Sequence, residues 1–163
     1  MTPCALGLGS NLGDRGGRIR EAVTEIGRVI GTVTAVSRLY QTAPWGASAV
    51  PTFPYVNAAV VCETGLSPER LLVALQAIET AGGRTRSVPN APRTLDVDLL
   101  FYGSATLDTP QLTLPHPRLH LRRFVLAPLA EIAPDWRHPV LHATVADLLR
   151  ECADALACTP FEA

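Results

Sequence analysis

The segment Arg93-Thr94-Leu95-Asp96-Val97-Asp98-Leu99-Leu100 constrains this chain more than any other. Acidic and apolar residues alternate in it, and alternate residues of a strand share a face. Read as a strand, it sends Leu95, Val97 and Leu99 into a core. Asp96 and Asp98 then lie together on the opposite face, about 7 Å apart at Cα. Two carboxylates on one face of so apolar a strand are costly without a partner. A hard divalent cation is a natural partner, because magnesium takes one or two carboxylates and completes its shell from water and substrate phosphates. A solvated edge strand carrying two acids is the plain alternative.

The rest of the chain supplies elements to surround that strand. Pro3 to Gly9 reads as a short buried strand, followed by the turn-rich Ser10 to Arg15, with Gly9 and Gly13 read as turn residues. Ile19, Ala22, Val23, Ile26, Val29 and Ile30 recur at helical spacing, and Gly31 is expected to stop that helix. Thr32 to Thr42 and Tyr55 to Glu63 read as strands, separated by a proline-rich loop. Ser67-Pro68-Glu69 opens a helix with a capping hydroxyl, an early proline and an acid at its positive end. Leu71, Leu72, Leu75 and Ile78 continue it, and Gly82-Gly83 ends it. After the strand Thr94 to Tyr102 come Leu112 to His116, a helix over Arg122 to Ile132 interrupted at Pro128, and a last helix capped by Thr144. The order is β-α-β, β-α-β, then a mostly helical remainder. It predicts an α+β fold: a ferredoxin-like antiparallel sheet with helices packed on it, as a single domain over residues 1–163.

Composition narrows the function classes. The chain has 163 residues, 47 % hydrophobic and 18 % charged, which suits one domain with a real core and excludes a disordered chain. A net charge of −1 argues against nucleic acid as a partner. No apolar run approaches the roughly 20 residues of a membrane span, and the N-terminus has no leader pattern. Cys4, Cys62, Cys152 and Cys158 have no CxxC spacing and read as reduced, buried thiols of a cytoplasmic protein. A zinc site from His138, His142, Cys152 and Cys158 fits no standard spacing and is set aside. All 14 basic residues are arginines. Any phosphate must therefore be met by arginine forks, helix N-termini or a metal, never by a lysine.

Those arginines cluster. Arg84, Arg86 and Arg93 bracket the loop before the two aspartates, and Arg118, Arg122 and Arg123 follow His116. Arginine forks beside a metal site suit a polyphosphate, although any single one reads equally well as a solvated loop residue. His116, held between Pro115 and Pro117, could hydrogen-bond a phosphate or act as an acid, although a lone histidine reads more readily as structural. Trp45 and Phe53 lie in a proline-rich loop where aromatic rings can sandwich a flat heterocycle, whereas Tyr40 reads as core. Asn57 shares a strand face with Tyr55, and its amide offers both a donor and an acceptor to the edge of a base-like ring. Gly7-Leu8-Gly9 lacks the remainder of a dinucleotide fingerprint, and no Walker A motif or nucleophile elbow is present.

Taken together, these segments resemble the 6-hydroxymethyl-7,8-dihydropterin pyrophosphokinase family of folate biosynthesis, over about Leu6 to Leu149. The matching pieces are Gly9-Ser10-Asn11-Leu12-Gly13-Asp14, Ser37-Arg38-Leu39-Tyr40-Gln41-Thr42 and Tyr55-Val56-Asn57-Ala58-Ala59-Val60. Ile78-Glu79 follows, with Gly82-Gly83-Arg84-Thr85-Arg86, then Pro92-Arg93-Thr94-Leu95-Asp96-Val97-Asp98-Leu99-Leu100. Leu114-Pro115-His116-Pro117-Arg118 and Arg122-Arg123-Phe124-Val125-Leu126 complete the set. The resemblance implies transfer of the β,γ-pyrophosphate of ATP to the pterin's hydroxymethyl oxygen, with release of AMP. It implies that Asp96 and Asp98 hold two Mg2+ ions, acting catalytically with Arg84 and Arg93. It implies that Arg84, Arg86, Arg93, His116 and Arg122 meet the triphosphate, with Gln76 and Glu79 toward the nucleoside. Asn57 would read the pterin edge, Tyr55 and Phe124 would flank its plane, and Thr42, Pro44 and Trp45 would complete the pocket. A monomer is expected. The chain departs from the family at Pro89-Asn90-Ala91, where Arg-Trp-Gly is usual, and at Ala43, where a proline is usual.

Two other classes share parts of this inventory. A non-catalytic ferredoxin-like module that binds a small ligand explains the fold but not the paired acids. A metal-dependent phosphohydrolase explains the acids but needs no pterin.

Overall fold

In the computed structural model, residues 1–11, 13–42, 55–82 and 95–161 are described. The elements are β1 (Thr2–Ser10), α1 (Arg15–Val29), β2 (Gly31–Val36), β3 (Tyr40–Thr42), β4 (Tyr55–Thr64), α2 (Pro68–Ala81) and β5 (Asp96–Tyr102). Then follow β6 (Leu107–Asp108), β7 (Thr113–Leu114), a turn of 3-10 helix over Leu119–Leu121, α3 (Arg123–Ile132), α4 (Val145–Arg150) and β8 (Cys158–Pro160).

The main sheet is antiparallel and runs β5-β1-β4-β3-β8, with β2 also paired to β4. With β2 and β3 taken as one broken strand, its first four members have the ferredoxin-like order, as expected. Each face carries its own core. Alternation sends Cys4, Leu6 and Leu8 of β1 to one side, where they pack with Ile19, Ala22 and Ile26 of α1 and Leu71, Leu75 and Ile78 of α2. On the other side Ala5, Ala59, Leu100 and Phe101 pack with Leu119, with Leu126 and Leu129 of α3, and with Val145 and Leu148 of α4.

A bulge explains how Phe101 reaches that second core. Leu6 pairs with Leu99 and Ala5 with Phe101, so Leu100 is the extra residue and the alternation of β5 inverts there. Helices α3 and α4 cover only part of this face. The uncovered part holds Gly7, Gly9, Tyr55, Asn57, Asp96 and Asp98.

Several expectations need correction. The strand expected over Thr32 to Thr42 breaks after Val36, because Ser37 replaces ladder geometry with its own contacts. Its backbone N–H donates to Ala59 O at 2.9 Å, and its hydroxyl accepts from Ala59 N at 2.9 Å. The helix does end at Gly31, as expected: α1 is capped at Ile30 and does not include the glycine. Gly31 begins β2 at a point where any Cβ would lie 2.0 Å from Glu63 O. Gly9 is a strand residue, whereas Gly13 does adopt a turn conformation with φ of +64°. Helix α3 runs through Pro128 without a break, although that ring supplies no N–H, since Leu126 and Leu129 on either side are fully buried. The C-terminal remainder is not mostly helix: α3, α4 and a 3-10 turn share it with turns, the β6–β7 pair and β8, which adds to β3. Of the cysteines, Cys4 and Cys62 are buried, but Cys152 and Cys158 are only half-buried, and all four are free. Among the described residues no cluster of three or more metal-ligating side chains occurs, and no helix is long and apolar enough to cross a membrane.

Candidate active site

Register places the site residues. One row across the sheet reads Tyr40, Asn57, Gly9, Asp96, from β3 through β4 and β1 to β5. The next row carries Ala59, Gly7 and Asp98. The Asn57 amide and the Asp96 carboxylate therefore stand on one face, two strand spacings or about 10 Å apart, with a glycine between them. Gly9 is confined by its neighbours: a Cβ there would lie 3.1 Å from Asn57 Oδ1 and 4.0 Å from Tyr55 Cδ1. Neither glycine was singled out as a site residue from the sequence. The signal was present in Gly7-Leu8-Gly9, where both glycines fall on the face opposite Leu8.

The resulting cleft has a volume of about 410 Å³. Its floor carries Asn57, Asp96 and Asp98, and its walls include Tyr55, Arg118, Arg122 and Phe124, together with Leu121, Val125 and Leu156. Arg122 stacks its guanidinium over the Phe124 ring at 5.6 Å, which fixes both at the rim. Thr42 also lines the cleft and is buried. It accepts a hydrogen bond from Asn57 Nδ2 at 2.9 Å, which leaves Asn57 Oδ1 on the Gly9 side.

His116 does not line this cleft; it lines a neighbouring one with His120, His138, Val140 and Leu141, close enough to the first to feel the charges of Asp98, Arg118 and Arg122. Its Nδ1 accepts from Arg118 N at 3.2 Å, so in the neutral ring the proton is on Nε2, which is a donor. Burial holds the His116 pKa below its usual value; the nearby Asp98 charge opposes this, and Arg122 and Arg118 reinforce it.

Other candidates are not brought to the cleft. Arg123 turns away: its Nε donates to Asp154 O at 2.9 Å and its Nη2 to Cys152 O at 3.2 Å. Gln76 and Glu79 lie on α2, whose buried residues pack on the opposite face of the sheet. Tyr40 is core, as expected, and donates its hydroxyl to Glu131 Oε1 at 2.5 Å. Pro44, Trp45, Phe53, Arg84, Arg86 and Arg93, and with them the Pro89-Asn90-Ala91 departure, lie outside the described residues.

Comparisons with known proteins follow the same outline. A 2-amino-4-hydroxy-6-hydroxymethyldihydropteridine pyrophosphokinase of Pseudomonas aeruginosa is 42 % identical over 156 residues, covering 95 % of this chain and 90 % of that protein. The Synechocystis protein of the same name is also 42 % identical, over 90 % of this chain and 74 % of its own length. The Bacillus subtilis one is 46 % identical over 78 % of this chain and 75 % of its own. Among solved structures, the wild-type HPPK-DHPS of Plasmodium falciparum superposes with a TM-score of 0.71 at 16 % identity. That superposition covers 93 % of this chain but only 43 % of the other, and it speaks for the fold alone. Residues 5–134 match the family described as 7,8-dihydro-6-hydroxymethylpterin-pyrophosphokinase, and on that match and those relatives the chain belongs to this family.

Proposed function

We propose that this protein transfers pyrophosphate from ATP to 6-hydroxymethyl-7,8-dihydropterin, releasing AMP, and that residues 1–163 act as one catalytic domain. The observation that carries the reading is the row Asn57, Gly9, Asp96, which sets a heterocycle-reading amide and a carboxylate on one open face.

Each part of the reaction has residues suited to it. Asn57 Oδ1 would accept from the pterin edge, with Tyr55 and Phe124 against the ring faces. Thr42, Pro44 and Trp45 are the further pterin contacts in this reading. Asp96 and Asp98 fit a hard divalent cation, because they are paired acids on one face whose ladder partners, Gly9 and Gly7, carry no side chains. Asp96 and Asp98 would hold two Mg2+ ions, whose chemistry there would be neutralisation of phosphate charge as the phosphorus centre reacts.

The hydroxymethyl oxygen gives up its proton, which passes to solvent, and forms a bond to the β-phosphorus; the bond from that phosphorus to the α,β-bridging oxygen breaks, and AMP departs carrying that oxygen. Little covalent work is left to the protein, so positioning and charge dominate. Arg122 and the neutral His116, through Nε2–H, would donate to phosphate oxygens, with Arg84, Arg86 and Arg93 as further partners. Strand β5 ends the described sheet, and α2 packs beside it. A nucleotide anchored by its phosphates at Asp96 and Asp98 and crossing that edge would meet Gln76 and Glu79.

The test is direct. The protein is incubated with ATP, magnesium and the pterin, and the nucleotides are separated. AMP formed only with pterin, and abolished by a chelator, is the expected result. ADP or free phosphate formed without pterin identifies a phosphohydrolase. Ligand binding without turnover identifies a non-catalytic module.

A further inference from the structure

The segment after α4 lies beyond the residues that match the family, 5–134. It nevertheless supplies part of the cleft. Arg123 anchors it through the two carbonyls described above, and Asp154 Oδ2 accepts from Arg123 N at 3.1 Å at the start of α3. Asp154 Oδ1 then accepts from Leu156 N at 3.0 Å, which sets Leu156 in the cleft wall. Two residues on, Cys158 pairs with Thr42 in the β3–β8 ladder, and Phe161 N donates to Leu39 O at 2.8 Å.

At Cys158 a hydrogen-bond relay begins. Thr42 Oγ1 donates to Cys158 Sγ at 3.8 Å and accepts from Asn57 Nδ2 at 2.9 Å. A hydroxyl has a single proton. While that proton is directed at the sulfur, Thr42 faces Asn57 only as an acceptor, so Asn57 must present its NH2 to Thr42 and its oxygen to the cleft. Removing the sulfur frees the hydroxyl to rotate and donate to Asn57. The amide is then equally satisfied when flipped, with its NH2 toward the cleft. Burial pushes the Cys158 thiol pKa up, so the sulfur stays a neutral thiol at neutral pH.

We propose that Cys158 is a positioning residue: through Thr42 it selects which end of the Asn57 amide faces the pterin. The inference rests on the reading of Asn57 as the pterin-edge contact.

The test compares Cys158→Val, Cys158→Ser and Asn57→Ala in the full chain, with KM measured separately for pterin and ATP. Cys158→Val should raise the pterin KM about 3- to 10-fold, the worth of one hydrogen bond, and leave the ATP KM unchanged. Cys158→Ser, which keeps an acceptor, should restore most of the affinity. The side-chain amide resonances of Asn57, followed by 15N NMR, should shift in Cys158→Val and lie near their wild-type position in Cys158→Ser. An unchanged pterin KM in Cys158→Val, a parallel rise for ATP, or a serine variant no better than valine overturns the proposal. If Cys158→Val folds poorly, Cys158→Ala and the Asn57 resonances decide by the same criteria. An unchanged pterin KM in Asn57→Ala overturns the underlying reading instead, and the two failures are thereby separated.

Discussion

Asp96 and Gly9 are direct partners in the β1–β5 ladder, so the carboxylate stands beside a residue with no side chain to cover it. The same relationship repeats two residues along, where Asp98 pairs with Gly7. A Cβ on Gly9 would intrude on Asn57 Oδ1, from the side opposite the Thr42 hydrogen bond. Gly9→Ala is expected to raise the pterin KM several-fold by displacing that amide, while shifting Tm only a few degrees. Steady-state kinetics beside a thermal melt would check both halves.

Asp96→Asn and Asp98→Asn each keep size and remove charge. Each is expected to lower turnover roughly 100-fold or more, since a metal ion supplies several kcal/mol of charge stabilisation in such reactions. The magnesium concentration for half-maximal rate should rise in parallel. Full turnover in either variant contradicts the metal assignment.

His116 gives a pH signature. Its folded pKa is lowered, chiefly by burial, so the folded protein favours the neutral ring. Below the ordinary value of about 6.5 the unfolded chain binds the proton more readily. Stability should therefore fall as pH drops from about 6.5 toward the lower folded value, and no further below it. His138 is shifted the same way, also chiefly by burial, and adds to this trend. His116→Gln should flatten part of it. Because Asp98 pulls the His116 pKa up and Arg122 pushes it down, NMR titration should find it lower still in Asp98→Asn and higher in Arg122→Ala.

Tyr40 joins the site's sheet row to α3. Its hydroxyl donates to Glu131, and Arg38 donates its backbone N–H to Glu131 Oε2 at 2.9 Å. Burial pushes the Glu131 pKa up, but the bonds from Tyr40 and Arg38 outweigh it and hold the carboxyl below its usual value. A depressed carboxylate stabilises above its unfolded pKa, and that contribution is lost as pH falls through the folded one. Tyr40→Phe should cost about 1 kcal/mol at neutral pH. Chemical denaturation at several pH values should show the gap between Tyr40→Phe and wild type closing in acid.

Much of this was legible in the chain itself. The alternation around Asp96 and Asp98 declared a strand with two acids on one face, because side-chain direction in a strand depends only on sequence parity. The Ser67-Pro68 helix start and the Thr144 cap were equally local, each resting on contacts within a few residues. The break at Ser37 was not, since it depends on Ala59, a residue far along the chain. Nor was Pro128 inside α3, where burial of Leu126 and Leu129 outweighs the missing hydrogen bond.

What the sequence determined by itself was the kind of chemistry: paired acids, an amide, arginines in place of lysines, and a family likeness carried by short motifs. Tertiary structure alone decided which of these residues meet. Register across three strands brought Asn57 and Asp96 into one row and made Gly9 the gap between them. The same register set Cys158 opposite Thr42, a pairing between residues 116 positions apart. Strand pairing is a long-range choice made by burial of both sheet faces together, so no local pattern encodes it.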